Sequence, residues 1–277
     1  MISYISWDPS RGMFNFNLPI LNRPILWYGF FFALGFFAGY LLLTYLLRRY
    51  FHYLGKDHIK QRAAKMAEQL TLYVVIGALA GARLGDVLFY QNWAQIARDP
   101  FSIIAFWEGG LASHGGAVGI LIALWLFSKK TKTPFWTAVD FTVIPTAAAA
   151  IFIRIGNFFN QEILGVPTSL PWGVLFLHPA DGGPIVPRHP AQLYEAIAYA
   201  MVLAALLFYW RCHPPFAKRG RLTGLFLVLV FSLRFLIEFL KMEQSAHLSC
   251  SGCLTMGQYL SIPFILLGIW LLSKKVR

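Results

Sequence analysis

Charged and amide side chains recur inside stretches of this chain that are otherwise too apolar to face water, and such groups are costly to bury unless they have work to do. The densest run is Arg154-Ile-Gly-Asn-Phe-Phe-Asn-Gln-Glu-Ile-Leu-Gly165. If one helix carries it, Arg154, Asn157, Asn160 and Gln161 fall on one stripe. An arginine with two asparagines makes a donor-rich face suited to a phosphate with neighbouring hydroxyls, whereas a face made only for packing would use Gly, Ala or Ser. Further along, Arg234 and Glu238 stand one turn apart, as do Arg83 and Asp86, so each pair shares a face. His114, within Ser-His-Gly-Gly, is the side chain whose ordinary pKa suits proton transfer near neutrality. Arg83, Asp86 and Asp140 read first as ion-paired packing groups. Arg154, Arg234, Glu238 and His114 read as functional. The run Pro187-Arg-His-Pro-Ala-Gln-Leu-Tyr-Glu195 leads into a helix, and Gln192, Tyr194 and Glu195 in its first turn are partly ordinary helix-start chemistry.

The elements that position these residues must be membrane helices. Of 277 residues, 57% are hydrophobic and 13% charged, against roughly a quarter charged in a soluble domain. A helix needs about 20 apolar residues to cross a bilayer. Seven segments approach that length, near 25–47, 70–90, 111–128, 135–158, 193–210, 222–240 and 256–273. The expected fold is all-α, a polytopic membrane protein with seven transmembrane helices, and residues 1–277 form a single transmembrane domain. Segment 100–107 is too short to span and is expected at the interface, with Trp107 at head-group depth. Residues 48–69, basic and partly amphipathic, read either as a helix lying on the membrane surface or as a solvated loop. No internal repeat is visible, which argues against an inverted-repeat transporter.

Orientation follows from Lys and Arg in the short connections. One side carries Arg48, Arg49, Lys56, Lys60, Arg62 and Lys65, then Lys129, Lys130 and Lys132, then Arg211, Lys218, Arg219 and Arg221, and finally Lys274, Lys275 and Arg277. The other carries only Arg11, Arg23, Arg98, Arg188 and Lys241. The N-terminus is therefore expected outside and the C-terminus in the cytoplasm. Arg154, Glu162, His114, His189 and Glu195 then gather toward the outer side, as one hydrophilic cavity would require. The residues before the first span include Asp8 and Arg11 and lack the apolar core of a cleavable signal, so the first helix is expected to act as its own signal. The net charge of +12 reflects loops facing anionic lipid, and nucleic acid is excluded as a partner because no soluble basic face exists to carry it. Cys250 and Cys253 lack the second pair that a four-ligand zinc site needs. No metal and no cofactor is expected.

These residues bring the chain to a known family. From about Trp27 to Ile269 it resembles the prolipoprotein diacylglyceryl transferases of the bacterial inner membrane. Residues 154–165 look like the family signature. Trp27-Tyr28-Gly29, Gly81-Ala-Arg-Leu-Gly85, Trp107-Glu-Gly-Gly-Leu-Ala-Ser-His-Gly-Gly116, Arg188 to Glu195, Arg234-Phe-Leu-Ile-Glu-Phe239 and Met256-Gly-Gln-Tyr-Leu-Ser-Ile-Pro263 agree in order. The chain departs from the usual pattern at Ile153 (commonly Gly), Gln161 (commonly Gly), Val166 (commonly Arg) and Lys241 (often Arg).

The resemblance implies transfer of the diacylglyceryl group of phosphatidylglycerol to the lipobox cysteine of a preprolipoprotein, with glycerol 1-phosphate leaving. It implies as partners phosphatidylglycerol, the lipobox segment and membrane lipid. On that reading Arg154 and Arg234 clamp the departing phosphate, and Glu238 orients Arg234. Asn157, Asn160, Glu162 and Gly165 belong to the head-group site, and Tyr28 hydrogen-bonds the phosphate or head group. The thiol needs a base, since its free pKa is near 8.5, and His114 and Glu162 are the two candidates.

Overall fold

The computed structural model describes residues 4–10, 12–17, 24–89, 91, 96, 99–103, 112–213, 219–242 and 254–274. They divide into two compact units, Met1–Leu42 with Val143–Arg277, and Leu43–Thr142. Among the described residues the long helices number seven: α1 (Trp27–Tyr53), α2 (Ile59–Phe89), α3 (Ser113–Thr131), α4 (Phe135–Phe159), α5 (Ala191–Cys212), α6 (Arg221–Ile237) and α7 (Met256–Ser273). Six of them, all but α3, are long and apolar enough to cross a membrane, α6 being counted through its 3-10 extension to Leu240. Helix α3 opens on Ser-His-Gly-Gly and closes on Ser-Lys-Lys-Thr, which leaves a short apolar centre.

The chain is mostly helical rather than all-α. Short strands β1 (Ile5–Trp7), β2 (Gly12–Asn17), β3 (Pro24–Leu26), β4 (Val174–Phe176) and β5 (Pro187–Arg188) accompany the helices. In one sheet β1 runs parallel to β4, with Trp7 opposite Phe176, and β4 runs antiparallel to β5. Strands β2 and β3 pair antiparallel as a second, two-stranded sheet.

In the first unit, β1 is fixed over the end of α4. The Trp7 indole donates to the Phe158 carbonyl at 3.0 Å, and its ring lies 4.4 Å from that of Phe158. Phe158, Leu164, Val174 and Phe176 form a buried cluster beneath it, each contributing roughly 1.5–3 kcal/mol relative to exposure in water. Helix α1 meets α4 through small residues. A Cβ on Gly35 would lie 3.1 Å from the Ala149 carbonyl, and one on Gly156 would lie 3.2 Å from the Tyr28 ring. Helix α7 begins with a capping box, in which Thr255 and Gln258 satisfy each other's backbone N–H groups.

The second unit is built on a glycine interlock. Gly77, Gly81 and Gly85 recur every fourth residue along α2 and meet Gly115 and Gly119 of α3. A Cβ on Gly81 would stand 2.7 Å from the Gly119 Cα, so the two backbones are in contact. Helices surrounded by lipid gain little from hydrophobic burial against one another, and close backbone packing replaces it.

Residues 48–69 are not a surface helix. Helix α1 continues to Tyr53, a turn follows, and α2 begins at Ile59. Arg48, Arg49, Lys60, Arg62 and Lys65 extend the ends of two long helices, with Lys56 in the turn, because nothing between Arg48 and Tyr53 stops a helix until Gly55 adopts a left-handed conformation (φ 61°). Of segment 100–107, Pro100–Ile103 forms a 3-10 turn. Trp107, Cys250 and Cys253 lie outside the described residues.

Candidate active site

Arg154 lies near the end of α4, its side chain 12% exposed. Its Nε is 3.0 Å from Glu195 Oε2 on α5, and one terminal nitrogen donates to Asn157 Oδ1 at 3.2 Å. The guanidinium carbon stands 6.0 Å from the centre of the Tyr199 ring, one turn beyond Glu195. Asn157 then passes the contact on, donating its amide to Glu162 Oε1 at 2.6 Å. Tyr28 on α1 lies within electrostatic reach of both Glu162 and Arg154. Arg154, Asn157 and Glu162 are thus linked by contact, with Tyr28 near Gly156 of α4.

The stripe itself ends sooner than expected. Helix α4 stops at Phe159, because Gln161 adopts a left-handed conformation (φ 54°). The Gln161 N–H bonds the Phe158 carbonyl and the Glu162 N–H reaches back to Asn157 at 3.1 Å, the two bonds of a Schellman cap. This is the position where the family commonly has glycine. Here the glutamine side chain turns inward, and its Oε1 accepts from the His178 N–H at 2.7 Å. Gln161 therefore does not share a helix face with Arg154. Asn160 instead lines a separate polar cavity of about 350 Å³ with Asp8, Ser10, Gln161 and His178.

Arg234 is half-buried on α6, and its side chain makes no hydrogen bond or ion pair among the described residues. Glu238 does not pair with it. The Glu238 carboxylate is 3.0 Å from Lys241 Nζ, because the helix tightens into a 3-10 turn (Glu238–Leu240) that carries the side chain toward Lys241. Lys241 is also 3.5 Å from Glu195 Oε1. An unbroken line of contacts thus runs Glu162, Asn157, Arg154, Glu195, Lys241, Glu238, over residues from α4, the loop after it, α5 and the end of α6.

Gly165 has a packing reason to lack a side chain. It pairs with Lys241 across an antiparallel bridge, and a Cβ there would strike the His189 carbonyl and stand 2.9 Å from the Leu240 carbonyl. The segment is gripped on both sides: Val166 N–H donates to Leu240, and His189 N–H donates to Val166. Gln192, fully buried, donates to the Glu162 carbonyl at 2.7 Å and fixes the loop from below. Outside the spans, burial would raise the pKa of Asp181. Hydrogen bonds from the Gly183 N–H and Arg188, with the Arg188 charge, outweigh this and hold it below the ordinary carboxylate range.

In the second unit, His114 is exposed on the first turn of α3. It lines one end of an apolar furrow of about 930 Å³ between α2 and α3. Arg83 and Asp86 pair at 3.5 Å, and Arg83 Nε donates to the Ile103 carbonyl, so this pair braces the 3-10 turn. Asp140 is fully buried. No cluster of three or more His, Cys, Asp or Glu side chains that could hold a metal occurs among the described residues.

Lys241 and Tyr199 were not named as site residues from sequence, and Glu195 was placed only in the expected outer polar gathering. Glu195 was legible as the one carboxylate in an otherwise apolar helix, with Tyr199 on its face. Lys241 becomes visible only once the Gly165 bridge brings it beneath α5.

Several helices apolar enough to span, with a chain of buried charges between them, define a multi-pass membrane protein. The family model for prolipoprotein diacylglyceryl transferase matches residues 16–274, and the chain belongs to that family. The phosphatidylglycerol–prolipoprotein diacylglyceryl transferase of Porphyromonas gingivalis is 39% identical over 99% of this chain and 96% of its own length. That of Tolumonas auensis is 41% identical over 91% of this chain and 92% of its own. The Protochlamydia amoebophila protein of the same name is 47% identical over 78% of this chain, a match that spans 59% of that relative. The chain is a membrane transferase of lipoprotein biosynthesis.

Proposed function

We propose that the chain transfers the diacylglyceryl group of phosphatidylglycerol to the lipobox cysteine thiol of preprolipoproteins, the first step of bacterial lipoprotein maturation. The sulfur attacks the glycerol carbon that bears the phosphate ester, forming a carbon–sulfur bond. The carbon–oxygen bond breaks with its electron pair going to the oxygen, so glycerol 1-phosphate leaves, and the thiol proton passes to a base. The negative charge that develops on the leaving group is what fixed cations in a low-dielectric site stabilise best.

The observation that carries this reading is the mounting of Arg154. A guanidinium has five N–H donors. Asn157 accepts from one of them and Glu195 stands 3.0 Å from Nε as an ion-pair partner, and the remaining terminal donors can meet a phosphate as a fork. Arg234, half-buried without a side-chain partner among the described residues, is the second clamp. Tyr28, Asn157, Asn160, Gly165 and Glu162 serve the head-group site, and Glu238 acts through Lys241. Two candidates stand for the base. Glu162 is the carboxylate bonded to Asn157, and His114 is the exposed imidazole of the second unit. In reconstituted enzyme, loss of the alkaline-rising limb of the pH–rate profile in His114→Gln assigns the base to His114. An unchanged profile with a modest loss of rate makes His114 structural.

The same reading places the chain in the bacterial inner membrane with seven spans, α3 being the seventh, the N-terminus outside and the C-terminus in the cytoplasm. The Lys and Arg distribution supports that orientation. The direct test incubates purified protein with phosphatidylglycerol and a lipobox peptide. A mass gain of one diacylglyceryl unit on the peptide cysteine is expected. An unmodified peptide, with active protein confirmed folded, would refute the assignment.

A further inference from the structure

We propose that Glu195 and Lys241 are positioning residues that set the orientation and free charge of Arg154, an inference that rests on the reading of Arg154 as a phosphate clamp. Glu195 is a buried carboxylate on an apolar helix, and its two oxygens are divided between two cations. Oε2 is 3.0 Å from Arg154 Nε and Oε1 is 3.5 Å from Lys241 Nζ. A carboxylate charge on the Nε side, paired without a hydrogen bond, draws the guanidinium toward α5. The Asn157 contact, on one terminal nitrogen, fixes its rotation.

Lys241 governs how much charge remains for substrate. Were Glu195 the counterion of Arg154 alone, the pair would be nearly neutral and its pull on a phosphate weak. Lys241 shares the same carboxylate, so Arg154 keeps part of its charge for an incoming anion. Lys241 is itself held in place three ways. Its backbone forms the bridge to Gly165, its N–H donates to the Glu238 carbonyl at 3.2 Å, and its Nζ contacts the Glu238 carboxylate at 3.0 Å. Gly257 makes room for that carboxylate, since a Cβ there would strike the Glu238 oxygen. Four separate segments therefore converge to hold one lysine beside one glutamate.

The test is a mutant cycle on the full-length purified protein, with phosphatidylglycerol and a lipobox peptide as substrates. Glu195→Gln should lower kcat by about a hundredfold, the scale of a misplaced reacting group, with a smaller change in KM for the lipid. Arg154→Lys should lose a comparable amount. The double variant should be no worse than the poorer single, because both losses pass through one fork. Lys241→Arg should retain most of the wild-type kcat, and Lys241→Met should lose kcat. Losses that multiply in the Glu195→Gln, Arg154→Lys double variant, or unchanged kcat in Glu195→Gln, would overturn the inference. Should Glu195→Gln fail to fold, Glu195→Asp decides the matter. It keeps the charge but withdraws it by one methylene, so reduced kcat supports the inference and full kcat overturns it. Wild-type protein that transfers nothing would instead defeat the clamp reading itself, an outcome separable from the others.

Discussion

Gly119→Ala should destabilise the second unit markedly, while Gly116→Ala, one turn earlier on the same helix, should be nearly silent. A Cβ on Gly119 would overlap the Gly77 carbonyl oxygen, and it would lie 2.8 Å from the Gly81 Cα and 3.0 Å from the Gly77 carbonyl carbon. Carbon atoms pack best at about 3.5–4.0 Å, so α2 and α3 must part by roughly 1 Å along this seam. Overpacking of this kind costs about 1–3 kcal/mol, with no flexible side chain available to yield. A Cβ on Gly116 meets nothing nearer than the Ala78 carbonyl at 3.4 Å, an ordinary contact, and alanine also has the better helix propensity by about 1 kcal/mol. Both variants, in detergent micelles, would be compared by thermal unfolding followed by circular dichroism. The expected result is a clear drop in midpoint for Gly119→Ala and no drop for Gly116→Ala. Equal midpoints for the two would show that the interlock does not hold these helices.

Other consequences can be checked in the same way. Gln161→Gly should be more stable than Gln161→Ala by about 1 kcal/mol, reversing the usual order, because the left-handed backbone favours glycine while both lose the bond to His178; thermal unfolding of the pair measures it. Gly257→Ala should displace the Glu238 carboxylate from Lys241 at a cost of about 1.5–3 kcal/mol, as for a lost charge-assisted hydrogen bond, read as a lower unfolding midpoint than wild type. The Asp181 carboxyl is held below its ordinary pKa of 3.8. Its contribution to stability is therefore present above that value and lost as pH falls through the lower folded one. Midpoints scanned downward from pH 6 should fall less steeply in Asp181→Asn than in wild type.

Much of the helical frame was legible because length and hydropathy alone decide a span. The ends of α7 and α4 lie within a residue or two of the segments read from sequence, 256–273 and 135–158. Arg154 and Asn157 share a face as their spacing dictates, and Arg83–Asp86 is a packing pair. Legibility failed where tertiary contacts override local pattern. Strands of two or three residues have too few positions to show a period of two, so the sheet around β4 was invisible. A glutamine in a left-handed cap gives no sequence signal that a helix stops, which is why the polar stripe was carried past Phe159. Glu238 had two cations within a turn in sequence, Arg234 and Lys241. Only the 3-10 tightening and the Gly165 bridge select the second.

The account turns on a guanidinium fork that meets the phosphate as the carbon–oxygen bond opens. The most direct measurement is single-turnover release of glycerol 1-phosphate by Arg154→Lys in phosphatidylglycerol micelles with saturating lipobox peptide. Lysine keeps the charge and loses the fork, so release should slow by about 10²–10³-fold with the protein folded and lipid bound. Release at the wild-type rate would contradict the account.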